Sequence, residues 1–292
     1  MKKQALILTN PYPNVEAESY QPKRLAEELS RLGVQADILP NYYRASLTGG
    51  NILLRFEKDY DFCVYLDKDK YTHRMLERRG MRLFNSADAV ETCDDKMTTA
   101  IALSGAGIPM PETLPAPLCY KPDADAEGEA ERVLEVLSLP VVVKKCYGSL
   151  GEGVYLAQTR EELQALSKEL MHMPHLYQRF ISESRGRDLR VICVGGEVVA
   201  SMKRTSETDF RSNISLGGRG EPFAVTDEVR TLCKRVSKVL KLDYCGIDLL
   251  FGREGMLVCE VNSNAFFGGI EKVTGVNVAR VYAEHVYREI YG

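Results

Sequence analysis

Residues 140–157 read Pro140-Val141-Val142-Val143-Lys144-Lys145-Cys146-Tyr147-Gly148-Ser149-Leu150-Gly151-Glu152-Gly153-Val154-Tyr155-Leu156-Ala157. An apolar run, a glycine loop and a second apolar run make an antiparallel hairpin. A Walker phosphate loop or a dinucleotide fingerprint requires a helix directly after its glycines, so neither describes this stretch. What it does contain is a lysine near the end of a valine strand, where a charge is costly to bury. Beside it stand three glycines whose backbone N–H groups can approach an anion. A phosphate would supply the missing counter-charge for Lys144. The competing reading is that Lys144 or Lys145 snorkels to the surface.

Upstream, short apolar runs at 5–8, 34–39 and 62–66 alternate with helical patterns at 23–32 and 72–79, ended by Gly33 and Gly80. Leu25, Leu29 and Leu32 share one face of the first helix. That alternation predicts a small parallel sheet. Asp94-Asp95 opens a helix over 96–104, which Gly105-Ala106-Gly107 breaks. Residues 118–131, with Asp123, Asp125, Glu127, Glu129 and Glu131, read as a solvated loop leading into a surface helix, with an acidic partner-binding segment as the alternative. Downstream, strands are expected at 176–181, 189–194, 197–202, 244–251 and 256–261 and a helix at 227–240, with a polar stretch over 203–219 between them. The division that results is an N-terminal α/β unit over 1–92, a first lobe over 93–182 and a C-terminal lobe over 183–292.

The hairpin of residues 244–262 carries a second inference. If Arg253-Glu254-Gly255 is a three-residue loop, Gly252 pairs with Met256 and Asp248 lies opposite Glu260. Alternation then puts Asn262 on the same face as Glu260. Two carboxylates facing each other are unfavourable without compensation. A hard cation would provide it, and Mg²⁺ takes one or two carboxylates while leaving its other positions to water and phosphate. The plainer reading is a solvated sheet edge. Lys203-Arg204-Thr205 and Phe210-Arg211-Ser212-Asn213 add cations whose forks suit phosphate or carboxylate, although each run alone reads as a surface loop.

The 292 residues are 45% hydrophobic and 27% charged, with 23 Gly and 12 Pro, which excludes disordered and collagen-like chains. A net charge of −3 lacks the basic excess of a nucleic-acid binder. The N-terminal apolar run stops after four residues at Thr9-Asn10-Pro11, and no run approaches the roughly 20 residues of a membrane span. A soluble, cytoplasmic protein is expected. The eight cysteines include no Cys-x-x-Cys pair and read as reduced core residues. His172 and His175 flank Pro174 without a third ligand, so no histidine metal site is expected.

Taken in order, Asp95-Lys96, Gly107-Ile108-Pro109-Met110-Pro111, Val142-Val143-Lys144 with 148–153, Gln178-Arg179-Phe180-Ile181 and Gly186-Arg187-Asp188-Leu189-Arg190 resemble the ATP-grasp superfamily. Asp209-Phe210-Arg211-Ser212-Asn213, Gly246-Ile247-Asp248, Glu260-Val261-Asn262-Ser263 and 269–275 narrow the resemblance to the RimK-type alpha-L-glutamate ligases. It covers about residues 85–286. The resemblance implies an α/β N-terminal domain with a parallel sheet, followed by a two-lobed α+β ATP-grasp fold.

It also implies an ADP-forming carboxylate-amine ligase that works through an acyl phosphate and adds glutamate or a similar amino acid to a protein, peptide or small-molecule carboxylate. Lys96 and Lys144 would hold the phosphates of ATP under a loop from Gly148 through Ser149 and Gly151 to Gly153. Gln178, Arg179, Phe180 and Ile181 match the strand that meets the adenine, and Asp188, Arg211, Ser212 and Asn213 match further nucleotide contacts. Asp248, Glu260 and Asn262 match the ligands of Mg²⁺, for which Mn²⁺ could substitute. Lys144, Arg204 and Arg211 would stabilise the charge in transfer. The family usually carries an acidic residue at the position of Arg179. Competing readings are a ligase acting on a carrier protein or cofactor, a non-catalytic ATP-binding regulator and a nucleotide-dependent kinase. No nucleic acid and no membrane is expected as partner, and homo-oligomerisation is left open.

Overall fold

Strands separated by a helix pair in parallel, because the chain must cross back before the next strand begins. The computed structural model, which describes residues 2–13, 17–121, 124, 126–214 and 217–292, has this arrangement at its N-terminus. The elements there are β1 (Lys3–Thr9), α1 (Ala17–Arg31), β2 (Val34–Pro40), a small hairpin of β3 (Ala45–Thr48) and β4 (Asn51–Leu54), β5 (Phe62–Leu66), α2 (Lys70–Arg78) and β6 (Leu83–Phe84). The main sheet runs β2-β1-β5-β6, every pair parallel. Leu25 and Leu29 are buried, as their spacing predicts. The helix nevertheless begins at Ala17 and not at residue 23, because Pro22 is accommodated inside it.

Next come α3 (Ala87–Asp94) and α4 (Lys96–Ser104), capped by the side chains of Ser86 and Asp95. At eight residues α3 is too short for its apolar period to stand out, and the sequence reading passes over it. The middle of the chain forms β7 (Thr113–Pro115), α5 (Glu129–Leu134), β8 (Val141–Lys145), β9 (Val154–Ala157), α6 (Arg160–Leu170) and β10 (His175–Arg179) in an antiparallel sheet ordered β7-β10-β8-β9. The hairpin across the glycine loop is therefore real, with Lys144 opposite Val154. The expected surface helix is α5, but its Ala130 and Val133 are buried. Asp123 and Asp125 lie outside the described residues.

The last third consists of β11 (Arg187–Val194), β12 (Glu197–Thr205), β13 (Arg219–Pro222), α7 (Asp227–Val239), β14 (Tyr244–Phe251), β15 (Met256–Asn262), α8 (Gly268–Thr274) and α9 (Val278–Tyr291). Its antiparallel sheet is ordered β13-β12-β11-β14-β15. β11 and β12 join through Gly195 and Gly196 at φ +57° and +80°, the tight turn in which both central residues need positive φ. β12 runs on to Thr205, so Lys203-Arg204-Thr205 is strand and not the surface loop expected.

β11 alternates, and its two faces do different work. Leu189 and Val191 pack with Ile247 and Leu249 against Val229, Leu232 and Val236 of α7 and Leu103 of α4. On the other face, Ile192 joins Tyr244, Phe267 and Tyr282 in one core with Ala5, Leu29 and Phe62 of the N-terminal unit. The middle sheet has its own core around Val143, Leu163 and Tyr177. A cleft opens between the middle and last sheets. Among the described residues no helix is long and apolar enough to cross a membrane. All eight cysteines are free.

Candidate active site

Asp188 and Arg190 stand two apart on β11, on the face of Ile192 but nearer the cleft. Register puts Arg204 of β12 opposite Asp188 and Asp248 of β14 opposite Arg190. The result is a buried chain of four charges. Arg204 donates through Nε to Asp188 Oδ1 at 2.7 Å and through Nη2 to Asp188 Oδ2. Arg204 Nη2 also lies 3.1 Å from Asp248 Oδ2, to which Arg190 Nη2 donates at 2.8 Å while its Nε meets Oδ1. Burial opposes the Asp248 carboxylate, but Arg190 and Arg204 outweigh it and hold its pKa below the ordinary value. At Asp188 burial dominates and pushes the pKa up, against the attraction of Arg204.

Glu260 does lie opposite Asp248, as the hairpin reading requires. The route differs. Gly252 N–H donates to the Gly255 carbonyl at 2.9 Å, so the turn is one residue tighter than expected. The register then shifts between Asp248 and Leu249, because Leu249 pairs with Val258 and leaves Cys259 as an extra residue. This β-bulge restores the Asp248–Glu260 pairing and brings Cys259 and Glu260 together onto the cleft. The expected repulsion between the two carboxylates is also corrected: two guanidiniums already neutralise Asp248. Glu260, with its side chain 27% exposed, has Lys96 Nζ at 3.7 Å.

Lys144 does not snorkel. It is 7% exposed, and its Nζ donates to Gln178 Oε1 at 2.7 Å and sits 3.4 Å from Cys259 Sγ. Burial holds the Cys259 thiol above its ordinary pKa, so both partners of the ammonium are neutral. Gln178 is fixed in turn by donating to Thr113 Oγ1 at 2.9 Å, and Thr113 Oγ1 donates to the Pro111 carbonyl at 2.9 Å. Across the cleft, the amide of Lys96 donates to the Cys146 carbonyl at 3.0 Å, which ties the start of α4 to the end of the valine strand. Lys96 Nζ donates to the Gly148 carbonyl at 2.8 Å, and Arg211 Nη1 donates to the carbonyls of Gly151 and Val154 at 2.8 and 3.3 Å. Arg211 is itself paired with Asp209 at 2.7 Å, which lowers the Asp209 pKa. Two cations thus pin the glycine loop over a cavity of about 100 Å³.

Residues 93–286 match the RimK-like ATP-grasp domain. The chain belongs to that family. Beta-citrylglutamate synthase B from Homo sapiens is 40% identical over 228 residues, 76% of this chain but 57% of that protein, so the match spans little more than half of its length. A probable alpha-L-glutamate ligase from Thioalkalivibrio sulfidiphilus is 36% identical over 209 residues, 70% of this chain and 67% of that one. The structure of the ATP-grasp ligase PsnB complexed with a phosphomimetic variant of its minimal precursor, Mg and ADP superposes with a TM-score of 0.72 at 18% identity, covering 99% of each chain.

In this RimK-like ATP-grasp chain, one cleft gathers most residues singled out in the sequence: Lys96, Lys144, Gly151, Gln178, Arg179, Phe180, Ile181, Asp188, Arg204, Arg211, Ser212, Asn213, Asp248 and Glu260. Four stand elsewhere. Gly148 offers its carbonyl to Lys96, Gly153 packs on the Lys145 side chain, and Ser149 and Asn262 line a second, larger cavity of about 710 Å³. Both oxygens of Asp188 are taken by Arg204, so it faces the cleft as the anchor of that arginine. Arg179 pairs with Glu112, an acidic residue brought from the start of the neighbouring strand.

Arg190, Thr113 and Cys259 are site residues that the sequence reading did not single out. Only Arg190 had a usable signal: it is two residues from Asp188 and therefore shares its face. Among the described residues no group of three His, Cys, Asp or Glu side chains clusters as a metal site. Asp248, Glu260 and the Asn262 amide nevertheless come from facing strand positions, with Gly246 opposite Asn262. Their donors are oxygens only, a set suited to a hard divalent cation that draws its remaining ligands from phosphate and water.

Proposed function

We propose that the protein is an ADP-forming, ATP-dependent carboxylate-amine ligase that adds glutamate or a similar amino acid to a protein, peptide or small-molecule carboxylate. Lys144 is the observation that carries this reading. A buried ammonium with only neutral partners is costly unless an anion arrives, and it sits where a cleft between two sheets gathers Lys96, Arg204 and Arg211. The names of the synthase and ligase relatives, and the Mg and ADP held by PsnB, point the same way.

The cavity beneath the glycine loop, about 100 Å³, is smaller than the roughly 300–1,000 Å³ of ligand pockets. ATP therefore enters as phosphate oxygens replace the carbonyls of Gly148 and Gly151 on Lys96 and Arg211, which frees the loop to lift and close again over the phosphates. Phe180 and Ile181, where the chain leaves β10, meet the adenine. Lys144, oriented by Gln178, holds the transferring group. The γ-phosphoryl passes to a carboxylate oxygen of the acid and ADP departs. The amine then attacks the acyl carbon, the C–O bond to phosphate breaks, and inorganic phosphate and a proton leave. Lys144 and Arg211 stabilise negative charge during transfer, and the loop excludes water from the acyl phosphate. Mg²⁺ or Mn²⁺ held by Asp248, Glu260 and Asn262 would supply further charge neutralisation at the phosphates.

The test is ADP release across a panel of acids and amino acids, with mass spectrometry of the product. An amide with stoichiometric ADP and phosphate is expected. AMP and pyrophosphate as products would overturn the reading.

A further inference from the structure

Asn85, between β6 and α3, is 2% exposed and reaches across the molecule to the open end of the β14–β15 hairpin. Its Nδ2 donates to the carbonyls of Tyr244 and Ser263, each at 2.8 Å. Its Oδ1 accepts from the amides of Asp243 at 2.7 Å and Tyr244 at 3.0 Å. Two donors and two lone pairs are the full capacity of a carboxamide, and here all are used. The partners also fix which way the amide is turned, because carbonyls only accept and backbone amides only donate. An aspartate in this place could serve the two amides but would set a carboxylate against two carbonyls.

β15 is the edge strand of its sheet, and its ladder with β14 ends at the rung of Gly246 with Asn262. Ser263 lies one residue past that strand, where the chain turns back over β14. There the Tyr244 hydroxyl donates to the Ala265 carbonyl at 2.6 Å, and Ala265 lies so close to Gly246 that a Cβ at Gly246 would collide with its own. Asn85 spans the same open end from outside the sheet and joins both strands where the rungs stop. We propose that Asn85 is a positioning residue for the divalent-cation site: by holding Tyr244 and Ser263 together it keeps Asn262 in register, so that its amide oxygen converges with Asp248 and Glu260. This rests on the reading of those three residues as cation ligands. Groups that orient metal ligands in this way typically govern affinity by roughly 10–100-fold.

Calorimetric titration of the full chain with ADP at a series of Mg²⁺ concentrations gives the Mg²⁺ midpoint. Asn85→Asp should raise that midpoint by about tenfold or more, while ADP affinity without Mg²⁺ stays level. Leu29→Ala, in the core shared by the N-terminal unit and the last sheet, is the control: its melting temperature should fall with the Mg²⁺ midpoint unmoved. If Asn85→Asp also loses thermal stability but keeps the wild-type midpoint, Asn85 is a structural tie only and the proposal is overturned. Hydrogen exchange of the wild type supplies a test should that variant not fold. Coupling between the clamp and the cation is reciprocal, so Mg²⁺ with ADP should slow exchange of the Asp243 and Tyr244 amides more than ADP alone does. An unchanged rate would overturn the proposal. A wild type that gains no ADP affinity from Mg²⁺ would sink the cation reading and this proposal together, a result distinct from a wild-type gain that Asn85→Asp leaves intact.

Discussion

The two cavities share Arg204, Asn213 and Glu260 as a common wall, yet they store polarity in opposite ways. In the narrow one most cations already have partners: Arg204 has Asp188 and Asp248, Arg211 has Asp209 and a loop carbonyl, and Lys96 has the Gly148 carbonyl. Lys144, the most deeply buried lysine of that wall, has neutral company in Gln178 and Cys259. Among the described residues, the wide cavity is bordered by buried amide atoms of Gln21 and Asn264 without a hydrogen-bond partner and by the exposed Lys23, which makes no ion pair. The difference teaches that the charges of the narrow site are largely satisfied by protein groups drawn from several strands and the glycine loop.

The largest blow to the narrow site should come from Asp248→Asn. It leaves Arg190 and Arg204 buried with one carboxylate fewer, and breaking a buried ion pair in this way costs about 3–5 kcal/mol. Denaturant unfolding should register that loss, and a change below 1 kcal/mol would mean that water already screens the network. Lys144→Met should weaken ATP binding by about 1.5–3 kcal/mol, tenfold or more, while ligand-free stability holds or improves because an unpaired buried charge is gone. Unchanged ATP affinity would remove the main distinction between the two cavities.

In the N-terminal unit, His73 is buried, stacked on Tyr65 at 3.9 Å, and its Nε2 faces the Asn85 carbonyl at 3.2 Å. Burial drives its pKa down from 6.5 to about 4. The unfolded chain therefore binds the proton first as pH falls, and stability is lost below about pH 6.5 on the way to pH 4. The loss should reach about 2 kcal/mol at pH 5. His73→Phe should flatten the acid limb of the stability curve, and an equally steep limb in the variant would shift the cause to the carboxylates. The smallest change in stability should follow Glu260→Gln. Its nearest cation is 3.7 Å away and its side chain is 27% exposed, so unfolding in EDTA should move by less than about 1 kcal/mol, while the gain from Mg²⁺ with ATP shrinks. A large loss in EDTA would make Glu260 part of the structural network with Asp248.

Much of this was legible in the chain. Apolar runs on either side of a glycine loop announced the hairpin that carries Lys144, and alternation of strands with helices announced the parallel sheet. The pairing of Asp248 with Glu260 could be read too, although the tighter turn and the bulge at Cys259 offset each other in a way that no turn rule for residues 252–256 contains. The neutralisation of Asp248 was out of reach, because Arg190 and Arg204 reach it from two other strands whose register depends on the whole sheet. So was the burial of Arg204, which in sequence sits in a polar stretch.

What the sequence determined by itself is therefore the set of local periods, turns and charged residues, since backbone pleat and glycine conformation act within a few neighbours. Tertiary structure alone decided which charges cancel and which amides stay unmatched. A partner's identity depends on distances between residues such as Asn85 and Ser263, 178 positions apart, and only the packing of the N-terminal unit onto the last sheet through one shared core sets those distances.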